Sequence, residues 1–90
     1  MALFQMGMIV ATPSAMLALH SAGQCPAHVL QCHANGIWGE MDRHDKRANE
    51  AALRDGERIL SKYTTTQGIA LYVITEADRS QTTILRTDEY

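Results

Sequence analysis

A chain of 90 residues, 46% of them apolar, has room for one domain and one core, here residues 1–90. Eight Lys and Arg stand against ten Asp and Glu. With that near balance, neither the basic patch of a nucleic-acid-binding domain nor the dense acidic surface of a DNA mimic is visible. Two cysteines are too few for a disulfide framework.

The first 22 residues are apolar but lack a basic start, and Thr12-Pro13-Ser14 interrupts them before membrane-spanning length. The cytoplasm is the expected compartment, with no membrane partner. Charge is distributed unevenly. Residues 1–39 hold no Asp, Glu, Lys or Arg, so every formal charge falls between Glu40 and Glu89. Such a stretch is either mostly core or part of an interface.

In chain order, residues 7–11 read as a short strand. Thr12 is placed as an N-cap and Pro13 at the first helical position, where no N–H is needed. Ala15, Met16, Leu19 and Ala22 follow at helical spacing, and Gly23 stops the helix. Pro26 starts a second helix, which carries Val29, Leu30 and His33 to a stop at Asn35-Gly36. Trp38, the only tryptophan, is expected to plug the space between helices and sheet. Asp42 caps a third helix. Its expected buried stripe is Ala48, Ala51, Ala52 and Leu53, and its wet face is Arg43, Lys46, Arg47, Glu50 and Arg54. Asp55-Gly56 ends it.

The last third alternates like a sheet. Residues 59–66, 69–75 and 82–86 are rich in Ile, Tyr, Val and Thr, and 76–81 is a polar turn. The predicted fold class is α+β in the order β-α-α-α-β-β-β. An antiparallel β-meander is extended at one edge by the N-terminal strand, with the helices packed on one face.

Two groups invite a chemical reading. Cys25, His28 and Cys32 share a helical face, with His33 beside them, but tetrahedral zinc usually takes a C-x-x-C knuckle that this chain lacks. The alternative is a weak cap at Cys25, a core residue at Cys32 and surface histidines. Glu76, Asp78 and Arg79 form an acid/base group on the polar turn, beside Asp42 or His44 if the third helix lies near. On a turn, a recognition role or an Arg79–carboxylate bridge is favoured over catalysis. No nucleophile elbow or phosphate loop is present, so neither enzyme nor cofactor is expected.

The order Ile9-Val10-Ala11-Thr12-Pro13, Trp38-Gly39-Glu40, Asp42, Asp45, Asn49, Arg58-Ile59-Leu60-Ser61-Lys62-Tyr63, Ile74-Thr75-Glu76-Ala77-Asp78-Arg79-Ser80, Thr82-Thr83 and Glu89-Tyr90 resembles a group of small bacterial proteins. They are carried on plasmids, integrative elements and phage-like islands. Their labels are "plasmid-related protein" or, misleadingly, type I restriction endonuclease subunit M. Cys25, His28, Cys32 and Arg86-Thr87 depart from the group's pattern. The resemblance implies mobile-element biology. The function expected from it is a non-enzymatic protein-binding protein, such as an inhibitor of a host CRISPR or restriction complex. Trp38, Glu76, Asp78, Arg79 and Tyr90 are its partner-binding candidates. The sheet face left free by the helices, or the uncharged first third, is where a partner is expected to bind. The alternative is a small DNA-binding regulator acting through the third helix. A homodimer is also expected, because the N-terminal edge strand carries none of the charges that protect an edge.

Overall fold

The computed structural model describes residues 2–90. The elements are β1 (Met8–Ala11), α1 (Pro13–Ser21), α2 (Pro26–Ala34), α3 (Arg43–Asp55), β2 (Ile59–Thr64), β3 (Ala70–Thr75), β4 (Gln81–Arg86) and a closing 3-10 turn (Thr87–Glu89). The strands form one sheet in the order β1-β4-β3-β2. β2-β3-β4 is the antiparallel meander, and β1 adds to β4 in parallel. This is the α+β arrangement read from the sequence.

The helix boundaries follow from their caps. Thr12 Oγ1 accepts from Ala15 N–H at 3.2 Å, and Asp42 Oδ1 accepts from Asp45 N–H at 2.8 Å. Each satisfies a donor that the first helical turn leaves free. Cys25 caps α2 with no side-chain bond. Gly56 ends α3 in the left-handed conformation at φ 71°. β1 begins at Met8, one residue later than expected. Gly7 is left-handed at φ 63°, and a Cβ there would overlap the Ser80 carbonyl. β2 ends at Thr64 rather than Thr66, because Thr65 Oγ1 turns to accept from the N–H groups of Gln67 and Ile69.

Strand pairing fixes which side chains share a face. Ile9 and Ala11, Ile59 and Ser61, Leu71, Val73 and Thr75, and Thr82 and Ile84 lie on one side. All three helices pack there. One core cluster joins Ala15, Ala18, Leu19 and Val29 of α1 and α2 to Leu71, Val73 and Ile84. A second joins Trp38, Ala52 and Ile59, flanked by Phe4, Met41 and Leu53. Trp38 thus fills the gap between α3 and the sheet, as its size requires. Each fully buried aliphatic residue such as Leu19, Leu71 or Ile84 contributes about 1.5–3 kcal/mol.

Two expected core positions are corrected. Ala48 is exposed, because α3 turns Asn49 and Ala52, one helical turn apart, toward the sheet. Met16 is 41% exposed, since Ala15, Ala18 and Leu19 already fill the helix–sheet space.

Asn49 replaces a sheet partner. Its Nδ2 donates to Leu60 O at 2.6 Å and its Oδ1 accepts from Leu60 N–H at 3.0 Å. The segment 38–40 completes the same edge. Lys62 N–H donates to Trp38 O at 3.1 Å, and Glu40 N–H donates to Lys62 O at 2.7 Å. Gly39 makes that approach feasible: its φ is 76°, and a Cβ would overlap the Lys62 carbonyl. The outward backbone groups of Leu60 and Lys62 are therefore all bonded.

Candidate functional site

Arg79 occupies the polar turn between β3 and β4 in the left-handed region, at φ 61°. Its guanidinium donates to four backbone carbonyls: Glu57 at 2.7 Å, Glu76 and Ala77 at 3.1 Å, and Ala52 at 3.1 Å. It also lies over the Phe4 ring, 5.7 Å from the centroid. Placing a cation on the last carbonyls of α3 suits the helix dipole.

The expected Arg79–carboxylate bridge is therefore replaced by a carbonyl clamp. The neighbouring part of α3 is its C-terminal end, so Asp42 and His44, at the N-terminal end, do not complete an acid/base group. Asp78 Oδ1 accepts from Ser80 N–H at 3.0 Å, and the hydrogen bonds from Ser80 hold its carboxyl below the usual carboxylate range. Glu76 is exposed. The turn is a structural staple between the β3–β4 hairpin and α3.

Cys25 and His28 are exposed, and Cys32 is half-buried, with its Sγ 3.9 Å from His28 Nε2. Among the described residues, no group of three His, Cys, Asp or Glu side chains is arranged to hold a metal. His33 departs from the surface position expected for it. It is fully buried, with Phe4 edge-on at 5.2 Å and Trp38 at 6.0 Å.

Its hydrogen bonds form a directed line. A carbonyl can only accept, so the Thr82 hydroxyl donates to Met6 O at 2.7 Å. Thr82 must then accept from Thr75 at 2.7 Å, and Thr75 from His33 Nε2–H at 2.9 Å. Nδ1 is left as the acceptor for the Ser61 hydroxyl at 2.5 Å. The neutral imidazole is satisfied on both sides, and burial lowers its pKa to about 4. The line runs from β2 across the sheet to the entry of β1. The side chains of Ser61, His33, Thr75 and Thr82 along it are fully buried, and the line serves packing.

A further apolar surface lies on the other side of the sheet. Strand parity puts Met8 and Val10, Gln81, Thr83 and Leu85, Ala70, Tyr72 and Ile74, and Leu60, Lys62 and Thr64 on the side away from the helices. Among the described residues no α-helix covers this face. Ile74 is nevertheless buried, at 4% exposure, Leu60, Tyr72 and Leu85 are half-buried, and Met8 and Val10 are exposed. Most of its strand members are apolar, and Lys62 is the only charged one among them. A solvated face of an antiparallel sheet normally alternates to polar residues. Tyr90 stands at its margin, 64% exposed. Its ring meets Tyr72 edge-on at 5.6 Å, and Arg58 donates to its hydroxyl. Trp38, by contrast, is 5% exposed and offers a partner almost no surface.

Of the partner-binding candidates, only Tyr90 adjoins this face. Glu76, Asp78 and Arg79 lie together on the hairpin turn, and Trp38 is interior. Sequence reasoning pointed to the helix-free sheet face, or to the uncharged first third, as the place for a partner, but did not name Val10, Leu60, Tyr72 and Leu85 as members of that face. The signal was present in Leu71-Tyr72-Val73-Ile74, which is apolar at both parities of one strand. Arg43, Lys46, Arg47 and Arg54 of α3 are exposed, but Glu50 and Asp55 stand exposed among them, so the helix presents no unbroken basic stripe.

A polar notch of about 360 Å³ lies between Ser14, Arg86, Asp88 and Glu89. Glu89 there accepts from Arg86 N–H and the Thr12 hydroxyl. Among the described residues no helix is long and apolar enough to cross a membrane. No protein family, curated protein or solved structure matches the chain.

Proposed function

We propose that the chain is a small protein-binding module without a catalytic role, and that the helix-free face of its sheet receives the partner. The observation that carries this reading is the apolar character of that face, on which Val10 is exposed and Leu60, Tyr72 and Leu85 are half-buried. Tyr90 and Arg58 at its margin are residue types enriched where interfaces are strong. The resemblance to mobile-element proteins supplies the setting. The partner is then a protein of a bacterial host, with a CRISPR or restriction complex as the specific candidate.

Affinity capture from a bacterial lysate with the wild-type chain and Leu85→Glu tests the reading. Leu85 is half-buried on the open face, and circular dichroism checks that the variant is folded. One protein retained by the wild type at low micromolar concentration and lost with Leu85→Glu supports the reading. Equal retention by both, or by neither, rejects it. Retention on DNA that weakens steeply with salt would favour the regulator acting through α3 instead.

A further inference from the structure

The free edge of β1 goes beyond the sheet-face reading and does not depend on it. Met8 N–H donates to Ser80 O at 2.9 Å and Thr12 N–H donates to Ile84 O at 3.0 Å. Backbone direction alternates along a strand, so residues 8, 10 and 12 bond to β4. Ile9 and Ala11 turn their N–H and C=O groups outward, where no described residue meets them. The edge is also uncharged, with Met8 67%, Ile9 45% and Val10 36% exposed.

We propose that β1 pairs antiparallel with β1 of a second copy of this chain, about a two-fold axis through Val10. Two four-stranded sheets thereby become one sheet of eight strands. In this register Ile9 of each copy faces Ala11 of the other. Each of the two facing pairs exchanges both N–H···O=C bonds, which satisfies all the outward groups of Ile9 and Ala11. Val10 faces Val10 in the non-bonded pair, with Cα atoms about 4.5 Å apart and side chains in contact.

Other registers satisfy fewer groups. Facing Ile9 with Ile9 sets Ala11 against Gly7, whose φ of 63° takes it out of the strand. Facing Ala11 with Ala11 sets Ile9 against Pro13, which has no N–H.

The occupant follows from charge and preorganisation. Edges are ordinarily protected by a charge, a proline or a bulge, and β1 has none within its span. Residues 1–39 carry no formal charge, so the two flanks approach without repulsion. A flexible peptide would lose backbone entropy on adding to this edge, whereas a second β1 is already held straight by β4. The paired edge is small against the roughly 800 Å² per partner of a standard interface. The dimer is therefore expected to be weak, with a dissociation constant of roughly micromolar or above.

Sedimentation from about 1 to several hundred micromolar tests the pairing. The wild type is expected to pass from monomer to dimer mass. Ile9→Pro removes an outward N–H and none that bonds β4, so it is expected to stay monomeric with an unchanged circular dichroism spectrum. Val10→Lys, at an exposed position, sets two ammonium groups at the axis and is expected to stay monomeric even if the proline variant unfolds. Leu85→Glu is expected to dimerise like the wild type, which separates this edge from the sheet-face reading. A wild type that is monomeric throughout, or a dimer that survives in Val10→Lys, overturns the proposal.

Discussion

The two edges of the sheet are finished in opposite ways. On β2, the outward groups of Leu60 are held by the Asn49 side chain and those of Lys62 by the backbone of 38–40. On β1, the outward groups of Ile9 and Ala11 meet nothing among the described residues, and exposed apolar side chains flank them. A sheet edge left open attracts other strands. A chain that seals one edge with a buried asparagine and a closely approaching glycine, and leaves the other apolar, has a directional surface for association.

The comparison breaks most severely at Asn49. Asn49→Leu leaves the Leu60 N–H and C=O groups unpaired beside α3, at a cost of about 2–4 kcal/mol for the two groups together. Urea denaturation is expected to show a lowered midpoint with little change in slope.

Acid acts on the line that joins the two edges, from Ser61 on β2 through His33 to Met6 before β1. His33 takes its proton near pH 6.5 in the unfolded chain and near 4 in the folded one. Between those values the unfolded state binds more protons, so stability falls as pH drops through the window. The loss attributable to this group is about 3 kcal/mol at pH 4. It is fully developed below the folded value and absent well above 6.5. His33→Gln is expected to start less stable and to lose this slope, read as urea midpoints between pH 7 and 4.

Arg79→Lys keeps the charge but not the planar fork that reaches four carbonyls. The expected loss is about 1–2 kcal/mol, detectable as a lowered melting temperature. Val10→Lys is the mildest change to the monomer, within about 0.5 kcal/mol, because the site is an exposed edge. Its effect belongs to association.

Much of the scaffold was legible. Thr12-Pro13, Pro26, Asp42 and Gly56 act through local backbone chemistry, so their spacing marked the helices. The alternation in residues 59–86 marked the meander. What was not legible depended on backbone acceptors and on helix rotation. Arg79 finds carbonyls rather than carboxylates, and a sequence does not display which carbonyls a turn brings together. Asn49 displaces Ala48 from the buried stripe because a strand edge needed a donor and an acceptor. His33 read as a surface residue because its partners Ser61 and Thr75 are 28 and 42 positions away. The open face was half visible in the doubly apolar run of β3, but only the pairing register shows that Val10, Leu60 and Leu85 share it.

Residue-resolved amide hydrogen exchange tests the difference between the edges most directly. In dilute protein, Leu60 and Lys62 are expected to be protected and Ile9 and Ala11 to exchange rapidly, with Val10 between them protected by its bond to β4. At several hundred micromolar, Ile9 and Ala11 are expected to gain protection while Leu60 and Lys62 are unchanged. Protection of Ile9 and Ala11 equal to that of Leu60 and Lys62 in dilute protein would contradict the account.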